Sequence, residues 1–252
     1  MDREVLVYVD LDGVALLTGR LWTRLRKNKE SATFEYDPDW LRHPARFALD
    51  PALMLGSGAF HTAPDAPLFG AIGDSAPDRW GRALMRRMSR REAEREGRAV
   101  RTLREVDYLL MVDDEARQGA LRFAEQPGGP FLREPDASRI PPLLELPKLL
   151  SAAERIVDEK DTDADLRLLF APGSSLGGAR PKASVRLKDG SLAIAKFPRR
   201  DDEINVVAWE AVALPSPSTM LNAPTSTSTP ASARGACSLK WRRKARPCGR
   251  LW

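Results

Sequence analysis

Two adjacent glycines at 177–178 precede a run with strand alternation, and no other stretch of the chain restricts the fold as strongly. C-terminal to them, "ASVRLKDG" alternates apolar and polar residues and ends in Asp189-Gly190, a dipeptide that favours a tight turn. The next run, "SLAIAKFP", is a second strand pattern and carries Lys196 near its end. Together these features predict a β-hairpin that begins at a glycine loop.

The glycine loop has the composition of a phosphate-binding loop. Its glycines and the small Ala179 leave backbone N–H groups accessible, and Lys182 follows three residues later. The spacing is neither that of a Walker A motif nor G-x-G-x-x-G, so the loop by itself does not identify a nucleotide site.

The order of the elements adds to this evidence. Lys196 is followed by Glu210 in the helix pattern "NVVAWEAVAL". Protein-kinase small lobes have the same order of glycine loop, strand lysine and helix glutamate, and there the lysine binds the α/β-phosphates and pairs with the glutamate. Taken singly, Lys196 is a surface lysine and Glu210 a solvated helix residue. Taken in this order, they predict an ATP site.

The first half of the chain predicts a small sheet with helices. "VLVYVD" and "LDGVALL" indicate a hairpin, "ATFEYDPDWL" a third strand, and "RQGALRF" a returning strand. Ser75 and Asp78 have capping-box spacing before "RWGRALMRRM", where Trp80 begins an apolar stripe, and Thr102 and Glu105 have it before "VDYLLMV". The pattern therefore indicates an α+β fold.

Composition divides the chain into four ranges. Pro and Gly concentrate between the two halves, and the helix pattern that contains Glu210 stops abruptly at Pro215. The Pro/Ser/Thr-rich residues beyond it have too little apolar periodicity to offset the entropy of ordering, so they are predicted to be disordered. The predicted ranges are an N-terminal domain at 1–126, a linker at 127–140, a partial kinase small lobe at 141–214 and a disordered, frame-shifted or truncated tail at 215–252.

The net charge of +5 belongs to this tail. Residues 215–252 contain seven Lys or Arg and no Asp or Glu, and the rest of the chain has 33 basic and 35 acidic residues. Direct nucleic-acid binding is therefore not favoured, although "LKWRRKARPCGR" could stack on bases and neutralise phosphates. No apolar run is long enough for a membrane helix, and the N-terminus has no targeting pattern, so a cytoplasmic location is expected.

The motifs resemble those of the HipA family of serine/threonine kinases. The glycine segment of that family is similar to Ser175, Gly177, Gly178, Ala179 and Lys182. Its strand lysine resembles Lys196, followed by Phe and Pro, and its helix glutamate resembles Glu210. The segments 68–85 and 103–123 are similar to the family's N-terminal subdomain.

The resemblance implies a function that residue patterns alone do not give. HipA kinases are the toxins of bacterial toxin–antitoxin pairs, use ATP and Mg²⁺ to phosphorylate a protein serine, and bind a helix-turn-helix DNA-binding antitoxin. The loop serine of the family is autophosphorylated, and by resemblance that residue is Ser175. A phosphate there would repel the phosphates of a bound nucleotide.

The chain departs from the family after Glu210, where it has no Asp or Glu. Phosphoryl transfer needs carboxylates to hold Mg²⁺ and to orient the attacking hydroxyl. No catalytic residue and no metal ligand is therefore predicted, and the chain is expected to be an inactive kinase fragment. The alternative is a non-catalytic binding or regulatory protein that contacts the antitoxin through the N-terminal subdomain.

Overall fold

The computed structural model describes residues 3–132, 140–173, 178–199, 202–206, 209 and 238–241. These residues divide into two compact units. Unit 1 contains the described residues of Met1–Pro77 and Val100–Asp136, and unit 2 contains those of Asp78–Ala99 and Ala137–Arg243. Both units combine helices with antiparallel strands, so the predicted α+β class is confirmed.

The regular elements of the described residues are strands and helices of varied length. In chain order they are β1 (Arg3–Leu11), β2 (Val14–Arg26), β3 (Lys29–Tyr36), α1 (Pro38–Arg42), β4 (Ala59–His61), α2 (Gly70–Gly73), α3 (Arg79–Arg95), α4 (Glu105–Met111), β5 (Leu121–Ala124), a 3₁₀ turn (Leu143–Glu145), α5 (Leu146–Val157), α6 (Asp163–Gly173), β6 (Lys182–Arg186), β7 (Leu192–Lys196) and β8 (Ser238–Trp241).

Unit 1 is built on one antiparallel sheet with the strand order β4-β3-β2-β1-β5. Its first hairpin turns at Asp12 and Gly13, whose φ angles of 54° and 86° suit the tight turn that the sequence predicts. The returning strand β5 pairs with β1, as predicted. Large apolar side chains then fill the core between the sheet and the helices, among them Phe34, Trp40 and Phe123.

Helix α4 begins at a different cap from the predicted one. Its N-cap is Arg104, and the Asp107 side chain accepts a hydrogen bond from the Arg104 amide at 2.9 Å. Asp107 is buried and also pairs with Arg101 and Arg3, which fix its carboxylate at this position. The predicted capping box of Thr102 and Glu105 is therefore wrong, because the N-cap lies two residues after Thr102.

Unit 2 packs three helices against one face of the β6–β7 hairpin. In this core α3, α5 and α6 contribute Trp80, Leu149 and Leu169, and the hairpin contributes Ala183 and Val185 among others. The predicted stripe on α3 is thereby confirmed. The cap of α3 is Asp78 and not Ser75, because the Asp78 carboxylate accepts from the amide of the first helical residue.

Two features of unit 2 differ from the predicted ranges. Helix α3 lies within 1–126, but its apolar side packs with the residues of unit 2. Residues Ser238–Trp241 lie in the tail predicted to be disordered, and they form β8, which pairs antiparallel with β7. Backbone pairing does not require side-chain periodicity, so the sequence pattern did not predict this strand.

Across the described residues, no helix combines the length and the apolar character that a membrane crossing requires.

Candidate functional site

The β6–β7 hairpin has one face of small apolar side chains and a second face, called here the polar face, that carries its lysines and Ser184 together with Ile194. Its register places Lys182 opposite Lys196 and Ser184 opposite Ile194. Because side chains alternate along a strand, these four share one face. The other face joins the core of unit 2 through four small side chains, namely Ala183, Val185, Ala193 and Ala195.

The polar face brings two positive charges together. Lys182 is only 6% exposed, and Lys196 is half-buried. Like charges directly opposite each other on adjacent strands destabilise a sheet. A negatively charged group close to these side chains lowers the repulsion, and the Asp78 carboxylate interacts with Lys182 in this way.

Ser184 is the third polar side chain of this face. It is fully buried, and within the described residues its hydroxyl has no hydrogen-bond partner. A buried hydroxyl without a partner costs about 1–3 kcal/mol. Strand alternation places it on the same face as Lys182, two residues away.

Gly178 requires a glycine for two reasons. Its φ of +88° lies in the left-handed region, and a Cβ atom there would come within 2.8 Å of the Lys182 Nζ atom. The Lys182 ammonium therefore lies directly against the glycine backbone. This arrangement of an exposed backbone and a cation is typical of phosphate sites.

The start of α3 holds the loop by three hydrogen bonds. The Gly178 amide donates to the Asp78 carboxylate, the Trp80 amide donates to the Gly178 carbonyl at 3.3 Å, and the Trp80 indole donates to the Lys182 carbonyl at 2.9 Å. The amide hydrogen bonds from Gly178 and Arg79, together with the charge of Lys182, hold the pKa of Asp78 below its ordinary value. Asp78 is therefore a carboxylate at any physiological pH.

A salt bridge fixes the loop on its other side. Two guanidinium nitrogens of Arg180 donate to the two carboxylate oxygens of Asp202, one of them at 2.7 Å. Asp202 also accepts from the Arg199 amide at 2.9 Å. These interactions, with the Arg180 hydrogen bond as the largest, lower the pKa of Asp202 to about 2. The chain after β7 is thereby tied to the glycine loop.

The structure brings together only part of the predicted site. Gly178, Lys182 and Lys196 lie at one end of the hairpin, and Ala179 is exposed beside them. Three further residues of the prediction lie outside the described residues, namely Ser175, Gly177 and Glu210.

Sequence reasoning missed Asp78, Trp80 and Ser184 as site residues. Asp78 was assigned to a capping pair and Trp80 to the core, and both have those roles in addition to their contacts with the loop. Ser184 had a usable signal, because strand alternation puts it on the same face as Lys182.

No group of His, Cys, Asp and Glu side chains that could hold a metal ion occurs among the residues that the structure describes. The end of the hairpin fits phosphate groups through the ammonium groups of Lys182 and Lys196 and the close approach that Gly178 allows, whereas the described residues there contain no cluster of carboxylates for Mg²⁺.

Comparison with known proteins relates part of the chain to a family. The model of the HipA N-terminal domain matches residues 14–110, a range that covers the sheet of unit 1 from β2 to β4 and the helices α1 to α4. No curated protein matches the chain.

Proposed function

We propose that this chain, whose residues 14–110 match the HipA N-terminal domain, is a HipA-family protein, and that its β6–β7 hairpin is part of a kinase-like small lobe and binds the phosphates of ATP. The observation that carries the proposal is the convergence of Lys182, Lys196 and the Gly178 backbone at one end of the hairpin. In a small lobe of this kind the strand lysine contacts the α/β-phosphates.

Each residue has a separate role in this proposal. Lys196 and Lys182 neutralise the phosphates, and the Gly178 backbone allows a phosphate to approach closely. The buried Ser184 hydroxyl lies two residues from Lys182 on the same face of the hairpin, and it donates to or accepts from the rest of the nucleotide. By family resemblance, Ser175 and Gly177 complete the loop and Glu210 orients Lys196.

The reaction implied by the family is phosphorylation of a protein serine. A bound Mg²⁺ would supply charge neutralisation at the β- and γ-phosphates, but its ligands are not among the described residues. The sequence has no Asp or Glu after Glu210. We therefore expect that these 252 residues by themselves bind ATP and do not transfer its γ-phosphate.

Measurement of ATP affinity by titration calorimetry tests the binding site. Lys196→Ala and Lys182→Ala should each weaken binding about 10- to 100-fold, because each removes a charge-assisted hydrogen bond. Lys188→Ala is the matched control, because Lys188 is an exposed lysine at the turn of the same hairpin. Equal affinities in the Lys196→Ala variant and the wild type would contradict the proposal.

A second assay tests the absence of catalysis. Wild-type chain is incubated with Mg²⁺ and ATP labelled at the γ-phosphate, and transfer to protein is compared with the Lys196→Ala variant. We expect equal background in both. Turnover by the wild type above this variant would contradict the expectation and would show that Asp or Glu residues up to Glu210 supply the catalytic carboxylates.

The lack of carboxylates after Glu210 also favours a second candidate, a non-catalytic protein that binds a helix-turn-helix antitoxin in the cytoplasm through unit 1. Under this hypothesis a small DNA-binding protein encoded next to the chain would be retained by unit 1. Retention should then be unaffected by Lys196→Ala, because Lys196 lies in unit 2.

A further inference from the structure

The Asp78 carboxylate makes two hydrogen bonds with different consequences. Its Oδ1 atom accepts from the Arg79 amide at 2.7 Å, which caps α3. Its Oδ2 atom accepts from the Gly178 amide of the glycine loop. The cap needs one oxygen only. The second oxygen therefore acts on the loop and not on the helix.

The position of this oxygen is one that a phosphate oxygen would need. A glycine-loop amide is a phosphate donor because it points at the ligand, and a single N–H group cannot serve two acceptors at full strength. The Lys182 ammonium lies against the same glycine, and its charge also acts on Asp78. Asp78 thus already accepts from the Gly178 amide and attracts the Lys182 ammonium group, which are the two groups that a nucleotide phosphate would use.

We propose that Asp78 is an affinity-setting residue of the phosphate site, an internal anion that competes with the ligand for the Gly178 amide. A phosphate that enters must displace the Asp78 Oδ2 atom and then lies close to its negative charge. Asp78 therefore weakens binding and selects for ligands with enough phosphate charge to compete. This inference rests on the proposed nucleotide site.

Asp78→Asn separates the two roles of the side chain. Asparagine caps helices as well as aspartate does, so its carbonyl oxygen keeps the hydrogen bond to the Arg79 amide. Its NH₂ group then faces the Gly178 amide, cannot accept from it, and carries no charge. The glycine amide is thereby freed while α3 stays capped, and unchanged circular dichroism verifies the fold.

Glu96→Gln is the matched control. Glu96 is an exposed carboxylate at the C-cap of the same helix, so its removal changes the net charge of unit 2 by the same amount. Seventeen helical residues separate the two positions, which corresponds to roughly 25 Å. At physiological ionic strength a charge at that distance is screened from the loop.

The experiment measures ATP affinity of the three proteins at low and high salt. We expect Asp78→Asn to bind ATP about two- to tenfold more tightly than the wild type, with a smaller gain at high salt, and Glu96→Gln to bind like the wild type. Binding by Asp78→Asn alone, with none detected in the wild type, would support the proposal as well.

Two other results would overturn it and are distinguishable. If the wild type binds ATP and Asp78→Asn binds it equally or more weakly, Asp78 only positions the loop, and the nucleotide site stands without the competing anion. If none of the proteins binds ATP, the proposed function fails and this inference fails with it.

Discussion

Each unit buries one long cationic side chain among its described residues, Arg117 in unit 1 and Lys182 in unit 2. The Arg117 guanidinium donates to the backbone carbonyls of Ser75, Leu109 and Val112 at 3.0–3.1 Å. Its Cζ atom lies 4.7 Å from the centre of the Phe123 ring. This cation is surrounded by acceptors and a ring face, which is the environment of a structural charge.

Lys182 has different neighbours. Its ammonium lies against the backbone of Gly178, and its strand position faces another lysine, Lys196. An exposed carboxylate, that of Asp78, reaches the same glycine from the start of α3. Arg117 is thus held by several carbonyls of the scaffold, whereas Lys182 lies beside a glycine and opposite a second lysine, which is the environment that the proposed phosphate site requires.

The largest expected effect is loss of the structural cation. Arg117→Met should lower the free energy of unfolding of unit 1 by about 3–5 kcal/mol, because it removes the donor to three carbonyls and the electrostatic attraction to the buried Asp113 and Asp114, the second of which keeps its ion pair with Arg122. Burial lowers the pKa of Arg117 to about 10, so the side chain is still charged at neutral pH. Urea unfolding followed by circular dichroism measures the change.

Arg20→Met is the control within the same unit. Arg20 and Glu4 form an ion pair in which both side chains are about half exposed. Such pairs contribute about 0–1 kcal/mol. If the two variants lost similar stability, the distinction between a structural cation and a surface cation in unit 1 would be wrong.

The sequence predicted the strands better than the contacts of the site. Asp12-Gly13 and Asp189-Gly190 both lie in turns of antiparallel hairpins, because turn chemistry and strand alternation are local. The contact between Asp78 and Gly178 joins residues 100 positions apart. Periodicity shows which face a residue occupies, but it does not show which distant backbone group meets its side chain.

Both capping errors arise because sequence spacing does not show which carboxylate the surrounding structure fixes. At α4 the N-cap itself is Arg104, which is not a preferred cap residue. At α4 the choice was made by Asp107, which is fixed by two arginines from outside the helix. At α3 it was made by Asp78, which is fixed in addition by the glycine loop.

A pair of tryptophans gives the next largest effect. Trp80 in unit 2 donates its indole N–H to the Lys182 carbonyl, whereas the buried indole N–H of Trp40 in unit 1 has no partner among the described residues. Trp80→Phe and Trp40→Phe remove similar apolar area. Trp80→Phe should therefore cost about 1 kcal/mol more stability, since it alone breaks a hydrogen bond.

The same pair of variants sharpens the assignment of the site. Trp80→Phe should also weaken ATP binding, because the Lys182 backbone loses its anchor to α3, and Trp40→Phe should leave it unchanged. Equal ATP affinity in both variants would show that the hydrogen bond between Trp80 and Lys182 does not contribute to ATP binding.

The smallest expected effect is an acid-dependent one. The pKa of Asp202 is lowered to about 2 by Arg180, so the folded state binds its proton less readily than the unfolded state does. Asp202 therefore stabilises unit 2 fully above about pH 4, and this contribution falls as the pH drops from about 4 to about 2. The contribution should be about 1 kcal/mol, since the pair is partly exposed.

The measurement is the difference in unfolding free energy between the wild type and Asp202→Asn, taken from pH 6 to pH 2. The difference should be constant near neutrality and vanish towards pH 2. Asp39→Asn is the control, because Asp39 and Arg42 in unit 1 form an ion pair with both side chains largely exposed, and its removal should have little effect at any pH. A pH-independent difference for Asp202→Asn would mean that the Arg180 pair contributes no charge-dependent stability. The glycine loop would then be held from the α3 side alone, by Asp78 and Trp80.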